Sequence, residues 1–391
     1  MFMRENFKMV ATTLQGLEEV LTNELKMLGA QEVKSGVRMV EFVGDEGFMY
    51  KANMYLRTAI RILKPIIKFK VRDEQDLYKN LLKIRWEKYV DVTGTFATKG
   101  TSQFKGLTDN THYLALKTKD AIADYFMAKY ESRPNVDIKH PDLKVNVHVD
   151  RNGVATVSLD SSGDSLHKRG YRLNTNLAPI NEVLAAGLVL LSGYTGEQNF
   201  IDPMCGSATI LIEAAMIACN IPANINRKEF AFEKWKDFNE ELFFIIQDSL
   251  IKKIRDPKYK IMGFDKAPSA VRKANENIAN ANLEEFIGVH HVNFFNSKKE
   301  VFGPTTILFN PPYGERLELD DIEGFYKSIG DTLKHHYHNS SAWFITSDFE
   351  ALKHVGLRTS RRIAIKNSDL DCKFVKYEIY EGSKKAKKND Y

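Results

Sequence analysis

The stretch TTILFNPPYGERL, residues 305–317, contains a short apolar run that ends abruptly. The run predicts a central strand, and it stops at Asn310 because the two prolines that follow lack the N–H group needed to extend a ladder. A rigid loop must therefore follow the carboxyl end of a strand, which is where open α/β sheets place their ligands. The loop offers an amide, fixed carbonyls and the ring of Tyr313. This set suits a planar group that carries an NH2.

Helices and strands alternate from about residue 180 onward, which predicts a parallel sheet with helices on both faces. Two final strands, 361–365 and 374–380, are separated by a short loop, so we expect antiparallel closure at the sheet edge. The other predicted strands of this half are 199–201, 260–264, 289–292, 306–309 and 342–346.

The first 160 residues show two other patterns. Residues 1–55 predict a small α+β unit, with strands at 7–12 and 37–43 and helices from 17 to 28 and from 46 to 62. Residues 60–160 predict helices at 75–83 and 113–129 and strands at 92–98, 143–149 and 154–159. An Asn152-Gly153 pair predicts a hairpin between the last two strands. Alternation in 143–149 gives that strand a wet, partly basic face, which is at best a binding surface.

Length and composition narrow the class of protein. A chain of 391 residues exceeds one ordinary core, so two or three domains are expected. No apolar run reaches the length of a membrane span, and charges occupy the place of a signal peptide's apolar segment. We therefore expect a cytoplasmic protein. The three cysteines fit neither a zinc site nor a disulfide framework, and the net charge of +5 permits a polyanionic partner.

A turn of small residues follows the first strand of the alternating half. Such a turn lets backbone N–H groups approach a ligand, and the helix after it favours the ligand's negative end. The signal is weak alone, because one glycine stands where a dinucleotide fingerprint has three. The candidate ligand residues in this turn are Asp202, Pro203, Cys205, Gly206, Ser207 and Thr209.

Two further strand ends carry suitable side chains. Asp265 can accept hydrogen bonds from the hydroxyls of a ribose, although a role at the start of the next helix explains it as well. It lies 63 residues after Asp202, against about 20 in dinucleotide-binding proteins, so an insertion at about 221–257 has to be looped out. Asn293 and Phe294 can hold the edge and face of an adenine, but core packing explains the phenylalanine equally well.

In this order, DPMCGSAT, GFD and NPPYGER resemble the class I S-adenosylmethionine-dependent methyltransferases that modify exocyclic amino groups. Five further segments resemble RNA methyltransferases that carry a ferredoxin-like unit and a THUMP domain. Four precede these motifs, TTLQGLEEVLTNELKMLGA, KGTSQF, LKTKDAIADYF and SLDSSGDSLHKRGYR, and the fifth, FAFEKWKDF, lies in the insertion. The resemblance covers nearly the whole chain. It is greatest to the large-subunit ribosomal RNA guanine-N2 methyltransferase L family.

The resemblance implies an α/β fold: a Rossmann-like class I methyltransferase domain with a seven-stranded, mostly parallel sheet, after an α+β ferredoxin-like and THUMP region. We expect domains at 1–58, 59–164 and 165–391. It also implies S-adenosylmethionine as cofactor, bound by the strand-end residues above, and RNA as partner, either 23S ribosomal RNA or a large-subunit precursor. Phosphate contacts are expected from Lys168, Arg169 and Arg172.

The resemblance gives the opening stretch a chemical role. Guanine N2 is a poor nucleophile, so the oxygen of Asn310 and the carbonyl of Pro311 are expected to accept its N–H groups. Pro311 and Pro312 hold these acceptors rigid, and Tyr313 stacks on the base. A base within a duplex must first be extruded, so a loop or irregular element is the expected target.

Two departures from the family pattern set limits. Ala208 stands where the family usually has glycine, and alanine is tolerated there if its φ is negative. The chain ends at Tyr391, so we expect no second methyltransferase domain.

Three alternative targets remain open: adenine N6, transfer RNA guanine N2 and protein glutamine. A non-catalytic RNA-binding role is a further alternative. No metal is expected, since His335, His336 and His338 have no partnering carboxylate pattern.

Overall fold

The computed structural model describes residues 5–107, 110–172, 180–312 and 321–381. Within these ranges the chain forms two β-sheets, one from each half of the sequence, with helices packed on them. None of the helices in these ranges is both long and apolar enough to cross a membrane.

The first sheet has eight described strands in the order β2-β3-β1-β4-β8-β7-β5-β6. Four described α-helices belong to this half: α1 (Glu18–Leu28), α2 (Glu46–Tyr55), α3 (Glu74–Leu81) and α4 (Thr111–Tyr130). The strands are β1 (Phe7–Thr12), β2 (Gln31–Gly36), β3 (Met39–Gly44), β4 (Arg61–Lys70), β5 (Thr95–Ser102), β6 (Asn135–Val136), β7 (Leu143–Val149) and β8 (Val154–Asp160).

Strand β4 joins the two N-terminal units, because it pairs with β1 on one side and with β8 on the other. The predicted helix over 46–62 was wrong beyond Tyr55, where α2 ends and an extended segment leads into β4. A proline at position 65 lowers the strand signal of β4, and the β4–β8 register shifts at that residue. The predicted hairpin between β7 and β8 is confirmed, with Gly153 at φ +75°.

The second sheet has seven described strands in the order β11-β10-β9-β12-β13-β15-β14. The first five are parallel, and β15 runs antiparallel between β13 and β14, which confirms the predicted mostly parallel sheet and its antiparallel edge. The strands are β9 (Asn199–Asp202), β10 (Ile261–Asp265), β11 (Ile287–His291), β12 (Thr305–Phe309), β13 (Ser340–Thr346), β14 (Arg361–Asn367) and β15 (Leu370–Ile379).

Five described helices accompany this sheet: α5 (Glu182–Leu191), α6 (Thr209–Ala218), α7 (Glu240–Ile251), α8 (Pro268–Asn280) and α9 (Ile322–His336). Strand order reverses at β9, with β10 and β11 on one side and β12 on the other. Such a reversal opens a crevice at the carboxyl ends of the strands. The polar residues predicted from the sequence follow these strand ends.

The insertion between α6 and β10 packs back onto the N-terminal half. It contains a 3₁₀ turn, Ala231–Lys234, followed by α7, which contacts α2. The ring of Tyr50 on α2 lies 4.5 Å from that of Phe232 and 5.8 Å from that of Phe243, centroid to centroid. Both phenylalanines are buried in the apolar core of the first sheet. The insertion therefore joins the two halves of the chain.

Candidate active site

A cavity of about 600 Å³ lies at the carboxyl ends of β9 and β12. Its volume is within the range of about 300–1,000 Å³ typical of small-molecule sites. Six of the predicted residues line it: Asp202, Cys205, Gly206, Ser207, Thr209 and Asn310. The structure therefore brings the turn after β9 and the end of β12 to one cavity.

The turn after β9 is held against the end of β10. The carboxylate of Asp265 accepts a hydrogen bond from the Gly206 N–H at 3.0 Å and another from the Ala267 N–H at 2.9 Å. The Cys205 N–H donates to the Phe264 carbonyl at 2.9 Å. Asp265 thus fixes the loop and the segment that leads into α8, whose N-cap residue is Ala267. Its predicted contact with a ribose stays a prediction.

Asp202 is a buried carboxyl group at the end of β9, with 1% of its surface exposed. It accepts a hydrogen bond from the Met204 N–H at 3.1 Å. Burial raises the pKa of this carboxyl group well above its usual range, and the nearby charge of Asp265 acts in the same direction. A cationic group in the cavity would favour the ionised form. Burial also raises the pKa of the Cys205 thiol, so that thiol stays protonated and unreactive.

The loop leaves room for a ligand to approach its backbone. Gly206 has φ +53°, and no atom of the described ranges beyond its chain neighbours lies within 4 Å of the place where a Cβ would stand. The side-chain amide of Asn277 on α8 donates to the Ser207 carbonyl at 3.0 Å and so holds the loop open. These features fit a small molecule that presents a cationic group to Asp202 and lies against the loop backbone.

Ala208 has φ +66°, in the left-handed region, so the condition of a negative φ, under which alanine is tolerated there, is not met. This conformation costs an L-residue other than glycine about 1–2 kcal/mol. The methyl group is fully buried in the core of the second half, where a buried CH₂-sized group contributes about 0.8 kcal/mol. Alanine also limits the unfolded chain more than glycine does. These opposing contributions account for alanine at a position that suits glycine.

We expect Ala208→Gly to change the free energy of unfolding by less than about 1 kcal/mol, because relief of backbone strain offsets the lost methyl contacts and the added chain entropy. Ala208→Val keeps the strain and adds β-branching, so it should be clearly less stable than Ala208→Gly. Urea unfolding of the two variants checks this. Equal stability of the two would contradict the left-handed conformation.

Asn310 follows β12 directly, and its side chain lies at the cavity. Its Oδ1 atom is buried and has no hydrogen-bond partner in the described part of the chain. An acceptor in that state carries a desolvation cost of about 1–3 kcal/mol that a bound donor would remove. Pro311 is buried and Pro312 half-buried beside it. The predicted partner Tyr313 lies outside the described residues.

Asn293 and Phe294, the residues predicted after β11 to hold an adenine, make contacts within the protein in this structure. The Asn293 side chain accepts from the Phe295 N–H at 3.1 Å and caps the short turn Phe294–Asn296. The Phe294 ring is buried and packs against Phe309 at 5.7 Å, centroid to centroid. Phe294 is therefore a core residue in this structure, and the core-packing alternative from the sequence holds for it. The half-exposed ring of Phe295 follows it.

The segment 165–172, which we call the strap, runs from the N-terminal half to the cavity. Arg169 on the strap is 1% exposed and pairs with the fully buried Glu213 on α6 at 3.3 Å. It also donates to the carbonyls of Leu166 and Arg57. The prediction that Arg169 contacts phosphate needs correction, because its charge is enclosed by the protein. The basic run in the sequence gave no sign of this.

Arg172 and Lys168 differ in their surroundings. The Arg172 guanidinium pairs with Glu182 at 3.1 Å and donates to the Thr209 hydroxyl at 2.5 Å, so it holds the first turn of α6. Lys168 is exposed and lies 3.2 Å from the carboxylate of Asp164. Of the three predicted phosphate contacts, Lys168 is the one with an accessible charge.

Several residues of the site were missed in the sequence. Glu182 and Glu213 hold the arginines of the strap, and each looks like an ordinary polar residue of an otherwise apolar helix. Arg272, Lys273 and Glu276 of α8 also line the cavity. The amphipathic pattern of α8 predicted a polar face but gave no sign that this face borders a ligand site.

Comparisons with known proteins identify the family. Residues 169–376 match the family model described as "RMKL-like, methyltransferase domain", which is more than half of the chain. The chain belongs to the RMKL-like methyltransferases. Residues 71–160 match a THUMP domain, and residues 8–63 match the RlmL ferredoxin-like domain. The predicted THUMP-containing methyltransferase is confirmed, and S-adenosylmethionine is the methyl donor of this enzyme.

Individual relatives agree with this assignment. "Putative RNA methyltransferase slr0064" of Synechocystis is 34% identical, over 95% of this chain and 96% of that protein. "Ribosomal RNA large subunit methyltransferase K/L" of Photobacterium profundum is 35% identical over 97% of this chain. The chain spans about half the length of that relative, at 54%. SMU.472, described as a putative methyltransferase complexed with SAH, is 29% identical with a TM-score of 0.86, over 97% of this chain and 100% of that one.

Proposed function

We propose that this RMKL-like methyltransferase transfers a methyl group to the exocyclic N2 of a guanine in 23S ribosomal RNA. The observation that carries the proposal is the buried Oδ1 of Asn310 at the cavity, which has no hydrogen-bond partner among the described residues. An exocyclic amino group supplies the N–H donor that this acceptor lacks. The RNA names of the relatives and the THUMP match support RNA as the substrate class.

The residues of the loop after β9 would hold the cofactor. S-adenosylmethionine, when bound, supplies an electrophilic methyl group and carries positive charge. The buried carboxyl group of Asp202 would balance that charge, and the open backbone at Gly206 would allow close approach. Asp265 and Asn277 keep the loop in position. Asn293 would contribute to the cofactor site indirectly, because its side chain caps the turn that carries Phe295.

Asn310 and Pro311 would orient the nucleophile. Oδ1 of Asn310 and the Pro311 carbonyl accept from the two N–H bonds of the amino group, which draws its lone pair out of the ring conjugation. Pro311 and Pro312 restrict the backbone, so little ordering remains to be done when substrate binds. Tyr313 would stack on the base. The geometry of an amino-group acceptor is common to guanine N2 and adenine N6, so guanine follows from the family resemblance.

The test is transfer of labelled methyl from S-adenosylmethionine to RNA isolated from cells that lack this gene, followed by nucleoside analysis. We expect label as N2-methylguanosine in the large ribosomal RNA. Label in transfer RNA, or as N6-methyladenosine, would show that the substrate is a different one and would leave the acceptor role of Asn310 unchanged. Cofactor binding without label in any RNA would contradict the proposal and favour a protein substrate or a binding role.

A further inference from the structure

A second cavity, of about 280 Å³, lies where the two halves of the chain meet. We call it the junction cavity. Three segments form its walls: residues 139–144 before and within β7, residues 162–170 including the strap, and residues 226–234 of the insertion. Its volume is slightly below that of pockets for drug-sized ligands, about 300–1,000 Å³. A single small ionic group fits such a space.

The lining of the junction cavity is strongly cationic. Two carboxylates, Asp164 and Glu229, also lie in the lining. They neutralise part of the charge: Asp164 lies 3.2 Å from Lys168 and 3.9 Å from Lys144, and Glu229 lies 3.7 Å from Lys234. The six cationic residues are Lys139, Lys144, Lys168, Arg227, Lys228 and Lys234.

Two exposed cations of the lining form no ion pair within the described part of the chain. Lys139 and Lys228 are exposed and form no ion pair with any residue in the described ranges. They come from different walls, Lys139 from the segment before β7 and Lys228 from the insertion. The surplus positive charge therefore faces the cavity from two sides.

Close contacts join two walls of the junction cavity, the segment 162–170 and the insertion. The guanidinium of Arg227 donates to four carbonyls, those of Ser162, Asp164, Ser165 and Lys168, at 3.0–3.2 Å. At Gly170 a Cβ would stand 2.4 Å from the Asn226 carbonyl oxygen, so the strap and the insertion touch directly. A preformed site of this kind loses little entropy when an anion binds.

The pKa of His167 reflects the burial and the charges around this side chain. Burial and the neighbouring charges of Arg169, Lys168, Arg172 and Arg227 lower the pKa of this imidazole to about 4. The imidazole is neutral at physiological pH, because a further positive charge is unfavourable there. The four neighbouring cations make the potential around the strap positive, whereas burial, the larger cause, opposes a charge of either sign.

The junction cavity and the active site share the strap. Lys168 and Gly170 line the junction cavity, and Arg172, two residues further on, holds the Thr209 hydroxyl at the active-site cavity. We propose that the junction cavity binds a backbone phosphate of the RNA substrate and so sets the distance between the RNA held by the THUMP half and the reacting base. This inference rests on the proposed function, because it takes RNA as the substrate.

The test uses Lys228→Glu in the full chain, with in vitro transcribed large-subunit ribosomal RNA as the probe. We expect its Kd for RNA to rise about tenfold and the slope of log Kd against log salt to fall by about 1, as for the loss of one phosphate contact. Methyl transfer at saturating RNA should fall as well, by about threefold or more, because the phosphate contact positions the reacting base. Lys139→Glu, from the opposite wall, should give the same changes.

Lys334→Glu is the matched control. Lys334 is an exposed lysine in the last turn of α9. This helix leads into the amino end of β13, whereas the active site lies at the carboxyl ends of the parallel strands. Equal Kd and salt slope for Lys228→Glu and Lys334→Glu would overturn the inference. A difference that disappears with RNA lacking terminal phosphates would overturn the backbone assignment in favour of a terminal phosphate. Cavity-dependent RNA binding without methyl transfer by wild type would contradict the proposed function alone.

Discussion

Asn310→Ala is expected to lower kcat for methyl transfer by about 10²-fold or more while the Kd for RNA stays within about twofold. The substitution removes the acceptor that orients the amino group, and loss of orientation at a reacting centre has effects of this size. It removes no positive charge, and most affinity for nucleic acid comes from contacts to phosphates. Single-turnover methyl transfer and filter binding measure the two quantities separately.

Two controls separate orientation from folding. Asn310→Ala removes a buried acceptor that has no hydrogen-bond partner in the described ranges, so urea unfolding should show stability equal to or slightly above that of wild type. Asn310→Asp keeps an acceptor of the same shape and should retain more activity than Asn310→Ala. Parallel loss of activity, RNA binding and stability would show instead that Asn310 supports the fold.

The parallel sheet was predictable because its strands are short apolar runs that end at polar residues, in two cases directly before a proline. Asn310 before two prolines shows this most clearly, and Asp202 and Asp265 mark the other strand ends. Parallel strands bring their carboxyl ends to one edge, so residues far apart in sequence could be placed together. The hydrogen bond from the Gly206 N–H to Asp265 is the result of that rule.

Side-chain direction was not predictable in the same way. Arg169 lies within a run of cations that looks solvent-exposed, yet it is buried because Glu213, 44 positions later, compensates its charge. A pair at that separation leaves no local pattern. The sequence was compatible with two roles for Phe294, contact with an adenine and core packing. The packing of Phe309 and Tyr337 around its ring decided between them. Strand β4 was missed because its partners β1 and β8 lie far away in sequence.

The buried pair of Arg169 and Glu213 leads to a prediction about stability. Arg169→Ala should lower the free energy of unfolding by about 3–5 kcal/mol, because it leaves the Glu213 carboxylate buried with the Tyr171 hydroxyl, at 3.1 Å, as its one remaining close donor among the described residues. Lys168→Ala, at the exposed neighbouring position, should change it by no more than about 0.5 kcal/mol. Urea unfolding of both variants gives the comparison.

A double variant shows whether the loss comes from the unpaired charge. Arg169→Met with Glu213→Leu replaces both partners by apolar side chains and should recover most of the stability that Arg169→Ala loses, since a buried pair often contributes no more than the apolar groups that replace it. Recovery of stability would place Arg169 in the framework that joins the strap to α6. Unchanged stability of Arg169→Ala, together with a weaker Kd for RNA and a smaller salt slope, would instead return Arg169 to the phosphate-contact role predicted from the sequence.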